Sequence, residues 1–207
     1  MEGAAQIAKG AEAEIYVSCF LGREAVVKVR SPKRYRVSEL DSAIRSSRTK
    51  NETKLMKEAR KAGVRTPAIY DIDMKEFSIT MENVRGVKVK DELERNPSSA
   101  AEICRMIGGT VADLHNSRIC HGDLTTSNMI LTGDRRICMI DLSMGKANAE
   151  LEDIGVDLHL LMRAFDSAHP DLTEAFGELM RAYVERKSEP ERVLHKVEEI
   201  ESRGRYT

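Results

Sequence analysis

The hydrophobic period of this chain changes at its middle, which restricts the fold to strands first and helices afterwards. The opening stretch IAKGAEAEIYVSCFLGREAVVKVR alternates apolar and polar residues around glycine-bearing turns at Lys9-Gly10 and Leu21-Gly22, and so predicts three short antiparallel strands. From Ser38 to Ala62, the residues Leu40, Ile44, Leu55, Met56 and Ala59 fall at helical spacings until Gly63, giving one broken helix or two in succession. TPAIYDIDMKEFSITMENV adds strands near 68–73 and 77–82, for five in the first half. From Ser99 the spacing is helical: Ser99 and Glu102 read as a capping box, and Ile103, Met106, Ile107, Val111 and Leu114 follow. Two short strands, MIL and RICMID, flank a Gly133-Asp134 turn, and helices are expected over about 150–168, 171–187 and 190–202, the last opened by Ser188 with Glu191. The expected class is α+β, with a boundary between halves near Asn83–Lys88.

Bulk properties exclude several classes. At 207 residues the chain can bury roughly 70% of its unfolded surface and needs no staples. Cys19, Cys104, Cys120 and Cys138 form no CxxC pair, so they read as reduced thiols and not as a zinc site or disulfide framework. No run reaches the ~18 apolar residues of a membrane span, and the amino terminus has no signal-like pattern, so a cytoplasmic protein is expected. The net charge of −1 conceals an asymmetry: Lys28 to Arg65 holds 13 Lys/Arg against 4 Asp/Glu, a local +9, and the remainder holds 20 against 30. Such a run is either a solvated helix face or a surface for an acidic partner or RNA.

The polar residues with the most chemistry lie in ICHGDLTTSNMIL, at 119–131. Asp123 is followed five residues later by Asn128, and the apolar hairpin after it ends in Asp141, so three oxygen-bearing side chains come to one edge. Hard oxygen ligands in that arrangement suit Mg²⁺ carrying a nucleotide's phosphates, because Mg²⁺ takes few protein ligands and completes its shell with substrate oxygens. A lysine is then needed against the phosphate charge, and Lys28, in a valine-flanked strand, fits. Glu52, 24 residues on, can hold its ammonium, with Glu39 and Glu58 as competitors that spacing leaves open.

HGDLTTSN followed by IDLS resembles the H-x-D-x-x-x-x-N catalytic loop and D-F-G metal turn of the protein-kinase superfamily. KGAEA at 9–13, KRYRVSELDSAIRSSRTKNE, the short segment leading to LEDIGVDLHLL, and the terminal RGRYT narrow the resemblance to the PRPK family, the small atypical kinases of the KEOPS complex. That resemblance implies a minimal bilobal kinase-like fold, with an amino-terminal lobe over 1–84 (a five-stranded antiparallel sheet and one helix) and a mainly helical lobe over 85–207. It implies ATP and Mg²⁺ as cofactors. Asp123 is the expected catalytic residue, Asn128 and Asp141 the metal ligands, and Lys28, paired with Glu52, the phosphate-binding cation. Lys9, Gly10, Ala11, Glu12 and Ala13 would cover the phosphates, Met81 and Glu82 would meet the adenine, His121 would pack, and Asp157 would tie down the catalytic-loop backbone.

The pattern departs from the superfamily in four places. Thr125 stands where serine/threonine kinases carry a lysine that neutralises the transferred phosphoryl group, which points to slow transfer or to hydrolysis. KGAEA has one glycine, Ser143 replaces the glycine of D-F-G, and only about eight residues separate Asp141 from the next helix, with no A-P-E. A phosphorylation-gated activation loop and peptide platform are therefore not expected.

The resemblance implies a serine/threonine kinase or ATP hydrolase that supports threonylcarbamoyladenosine modification of tRNA. Its partners would be the KEOPS threonylcarbamoyl-transferase subunit and other KEOPS subunits, with tRNA met through the basic 28–65 region and the Arg203–Arg205 tail, and no membrane. Two alternatives remain: a small-molecule phosphotransferase of the aminoglycoside or choline type, and a non-catalytic scaffold with this fold.

Overall fold

The computed structural model describes residues 6–9 and 13–204. They form two compact units, one running to Lys54 with Pro67–Val84, the other combining Leu55–Thr66 with the chain from Arg85 onward.

In the first unit, β1 (Gln6–Lys9), β2 (Glu14–Phe20) and β3 (Arg23–Val29) are followed by helix α1 (Ser38–Lys61) and then by β4 (Ile69–Asp73) and β5 (Ser78–Glu82). The strands form one five-stranded antiparallel sheet in the order β1-β2-β3-β5-β4, as the period-two pattern requires. Leu21 (φ 48°) and Gly22 (φ 78°) both lie in the left-handed region, the requirement of a two-residue type I′ hairpin. That turn sets the register from Phe20↔Arg23 to Glu14↔Val29.

Helix α1 is continuous, and neither broken nor double. Its buried stripe in the middle is Thr49, Glu52 and Thr53 before it becomes Leu55, Met56 and Ala59. Apolar spacing is blind to a stripe made of hydroxyls and a carboxylate, so the helix read as interrupted. Glu39 and Asp41 in its first turn and Arg60 and Lys61 in its last complement the macrodipole. The carboxyl end is a Schellman cap: Val64 N–H donates to the Ala59 carbonyl at 3.0 Å and Gly63 N–H to that of Arg60 at 3.1 Å. Gly63 has φ 85°, which only glycine adopts at no cost.

The second unit adds β6 (Gly86–Lys88), α2 (Val89–Arg95), α3 (Ala100–Asn116), β7 (Ile119–Cys120), β8 (Met129–Thr132), β9 (Ile137–Met139), β10 (Lys146–Ala147), α4 (Leu151–Ala168), α5 (Thr173–Arg186) and α6 (Pro190–Gly204). Helix α3 packs mainly on α5, and α4 on α6. Ile103, Ile107, Val111, Leu114, Leu158, Leu161, Leu179 and Tyr183 are fully buried between them. The β8–β9 hairpin is extended by β6, and β7 pairs with β10. Arg65 bridges Cys138 in parallel, and Met139 N–H donates to the Arg65 carbonyl at 2.8 Å, which stitches the segment after α1 to β9.

Two local expectations fail. Ser99 is no side-chain cap, because the Pro97–Ser99 3-10 turn leaves it helical at φ −90°, ψ −2°, with its hydroxyl on the Asn96 carbonyl at 2.9 Å. Helix α6 begins at Pro190, one residue too late for a Ser188 cap, and Ser188 N–H instead donates to Asn116 at 2.9 Å. The boundary region near Asn83–Lys88 carries strand β6 and leads into helix α2, which buries only Val89 and Leu93, too few apolar positions to show a period. The side-chain and backbone halves of a capping box do occur, at Glu150 and Asp153, where α4 starts. Among the described residues no helix is long and apolar enough to cross a membrane.

Candidate functional site

The loop between β7 and β8 is held from beneath by one buried carboxylate. Asp157, on α4, accepts the backbone N–H of His121 on one oxygen and that of Gly122 on the other, each at 2.8 Å. His115 Nε2 adds a third contact at 3.2 Å, and Tyr183 meets the other ring nitrogen of His115 at 2.9 Å. Burial raises the Asp157 carboxyl, but the hydrogen bond and charge of His115 and the His121 N–H outweigh it and keep the group below the usual carboxylate range. The same burial pushes the Cys104 thiol up to about 12, and raises Cys120 and Tyr183 as well. All four cysteines are free thiols, and these two are inert.

His121 is a joint between the loop and the strand that carries Asp141. Its Nε2 lies 2.9 Å from the Ile140 carbonyl, which can only accept, so Nε2 carries the proton. Its Nδ1 then accepts the Asp123 N–H at 3.3 Å. This is the packing and hydrogen-bonding part expected of it. Gly122 has φ 79°, and a Cβ there would stand 2.2 Å from the Met144 carbonyl oxygen, so no other residue fits between His121 and Asp123 without moving the backbone.

Asp123 is exposed and Asn128 half-buried. The Asn128 amide nitrogen donates both to the Asp123 carbonyl at 2.9 Å and to its carboxylate Oδ2 at 2.8 Å. Both partners are acceptors, so the amide orientation is fixed and Oδ1 is the oxygen that could serve a metal. The Ile140 N–H donates to the Asn128 carbonyl at 3.0 Å, which puts Asp141 one residue from a direct backbone link to Asn128. Asp141 itself has φ 60°, a strained conformation for a non-glycine residue, and accepts the Ser143 hydroxyl at 2.8 Å. One carboxylate and one amide oxygen on joined segments fit Mg²⁺, which relies on phosphate oxygens for the rest of its shell. Among the described residues no three His, Cys, Asp or Glu side chains gather into a self-sufficient metal cage.

The TTS stretch is anchored too. The Thr126 hydroxyl lies 3.0 Å from His169 Nε2, and burial lowers the pKa of that imidazole. Thr125 is extended at φ −135°, ψ 159°, one residue before the 3-10 turn that holds Asn128.

In the first unit, Lys28 Nζ lies 2.8 Å from Glu52 Oε1, and both side chains are buried. Of the three carboxylates that spacing left open, Glu52 is the one seen paired with Lys28. Arg30 Nη2, which the sequence reading passed over, takes the other oxygen of Glu52 at 2.6 Å. Met81 is buried and ends β5 with Glu82, whose carboxylate accepts the Ala68 N–H at 3.0 Å. Lys9 closes β1 and Ala13 precedes β2, while Gly10, Ala11 and Glu12 lie outside the described residues, as does Arg205 of the tail. Arg203 pairs with Glu152 at 2.9 Å.

Residues 17–173 match the family described as the RIO domain. The chain belongs to the RIO domain family. It is 38% identical over 210 residues to the KEOPS complex subunit Bud32 of Pyrococcus abyssi, covering 97% of this chain and 95% of that one. It is 34% identical over 215 residues to the EKC/KEOPS complex subunit Tp53rkb of Mus musculus, covering 99% and 88%. A probable bifunctional tRNA threonylcarbamoyladenosine biosynthesis protein of Methanobrevibacter smithii is 40% identical over 203 residues, and this chain spans only 36% of its length. The Rio2 kinase of Chaetomium thermophilum, solved as an ADP/Mg²⁺-phosphoaspartate complex, superposes with a TM-score of 0.63 at 16% identity, covering 99% of this RIO-domain chain and 71% of that one. The fold is therefore kinase-like, with an antiparallel amino-terminal sheet and six described helices, as the PRPK resemblance implied. These relatives favour that family over aminoglycoside- or choline-type phosphotransferases.

Proposed function

We propose that this RIO-domain chain is an ATP- and Mg²⁺-dependent atypical kinase or ATPase that works as a KEOPS subunit in threonylcarbamoyladenosine modification of tRNA. The single observation that carries the catalytic part is the double hydrogen bond from Asn128 to Asp123, because it ties a base and a metal ligand into one rigid loop. Near-full-length similarity to the Bud32 subunit supports the assembly part.

Asp123, exposed and held by Asn128, orients or deprotonates the attacking hydroxyl or water. Asn128 Oδ1 and the Asp141 carboxylate would hold Mg²⁺, whose charge, when bound, neutralises that developing on the phosphates. Lys28 carries the phosphate-binding cation of the first unit, the KGAEA stretch at 9–13 covers the phosphates, and the backbone of Met81–Glu82 receives the adenine. Thr125 supplies no cation, which favours slow transfer or hydrolysis.

The surface of the 31–40 segment supports a macromolecular partner. Tyr35, Val37 and Leu40 are 78%, 69% and 55% exposed there, beside Lys33, Arg34 and Arg36. Basic residues around exposed apolar ones suit an acidic protein surface or the RNA backbone. Purified protein should hydrolyse ATP or label itself in Mg²⁺, and Asp141→Ala should abolish this. An inactive wild type, alone and with the transferase subunit plus tRNA, overturns the enzyme reading.

A further inference from the structure

Glu52 carries two buried cations, one on each oxygen. Lys28 Nζ sits at 2.8 Å on Oε1 and Arg30 Nη2 at 2.6 Å on Oε2, and the three side chains are no more than 6% exposed. Positions 28 and 30 share a face by the two-residue period of a strand. Two other buried polar groups on the facing stripe of α1 are satisfied within the helix: the Thr49 hydroxyl donates to the Arg45 carbonyl at 2.8 Å and that of Thr53 to the Thr49 carbonyl at 3.0 Å. Glu52 is the buried carboxylate of α1 that reaches Lys28 and Arg30.

Arg30 is built for that contact. Its N–H donates to the Phe77 carbonyl at 3.2 Å, and its own carbonyl receives Arg45 Nη1 at 3.5 Å. Arg45 lies over the Phe77 ring at 4.3 Å and is itself held by Asp41 at 2.6 Å. The remaining Arg30 nitrogens, Nε and Nη1, are buried with no hydrogen-bond partner, so Glu52 is the polar group for which this guanidinium is retained. A guanidinium stays charged at any pH a protein meets and binds a carboxylate with a rigid fork, whereas an ammonium on a flexible stem changes partners readily.

We propose a division of labour in which Arg30, not Lys28, is the positioning residue that docks Glu52 and helix α1 to the sheet, so that Lys28 can transfer to an anionic ligand while α1 stays in place. The docking half stands on this geometry alone. The ligand half rests on the nucleotide reading above, with the phosphates as the anion.

The test uses the full chain and two single variants, Arg30→Gln and Lys28→Gln. Amide hydrogen exchange over residues 45–54 is measured without nucleotide, and binding of a fluorescent ADP analogue is measured in Mg²⁺. Arg30→Gln should speed exchange over 45–54 by about tenfold or more, while Lys28→Gln changes it little and weakens the analogue by about tenfold or more. Arg30→Lys should recover part of the protection. Wild-type protection in Arg30→Gln, or equal exposure in Lys28→Gln, overturns the proposal. Should Arg30→Gln fail to fold, Arg30→Lys decides: faster exchange confined to the first unit supports the assignment, and unchanged exchange overturns it. If the wild type binds no analogue, the nucleotide reading falls, and the exchange comparison still decides Arg30.

Discussion

Asp157 accepts the N–H of His121 and the N–H of Gly122, both at 2.8 Å, so a single carboxylate sets the backbone from which Asp123 projects. Removing it orphans two amides and one imidazole contact. Asp157→Ala should cost about 3–5 kcal/mol, as breaking a buried charged network does. Thermal unfolding checks the value, and ATP turnover should fall with it.

The same residue fixes a pH dependence. Its folded pKa is depressed, so its contribution is fully present above the unfolded value of about 3.9 and is lost as pH falls through the folded value. Asp157→Asn should therefore be less stable at neutral pH and should show a flatter loss of stability below about pH 4. Denaturant midpoints from pH 7 to 3 would read this, and parallel curves for variant and wild type would contradict it.

His169 gives the opposite chemistry with the same sign. Burial lowers its pKa, so the native state prefers the neutral imidazole and stability falls as pH drops below the unfolded value of about 6.5. His169→Gln keeps a hydrogen-bonding group near Thr126 and should remove that slope between about pH 7 and 5. A slope unchanged in the variant would place its origin elsewhere.

Two glycine substitutions should separate. Gly122→Ala meets both a positive φ and the Met144 carbonyl, and it should displace the loop and lower ATP turnover at least tenfold. Gly63→Ala meets no atom within 4 Å, so it should cost about 1 kcal/mol from φ and leave turnover nearly unchanged. Equal effects on turnover would mean that φ, and not the close approach, controls the loop.

Charge reversal at Lys33, Arg34 and Arg36 should weaken RNA or partner binding and leave nucleotide binding intact. Arg36 is already 3.7 Å from Asp41, so Arg34, exposed and on a loop, should carry more of the effect. Binding titrated at two salt concentrations checks this, and an unaltered salt slope would return the run to an ordinary solvated surface.

The sequence by itself determined the order of the longer strands and helices, because period-two and helical spacings are local properties, and it picked out Lys28, Asp123, Asn128 and Asp141, because their spacing is covalent. It placed Glu52 among three candidates, and the family resemblance put Asp157 under the loop. The tertiary structure decided the rest. Helix α1 reads as unbroken only once Glu52 has Arg30 and Lys28 as partners, since a polar stripe is stable in a core only when its charges are matched. The support of Asp157 by His115 and Tyr183 joins residues 42 and 68 positions apart, and no local pattern encodes contacts that form only when α3, α4 and α5 pack.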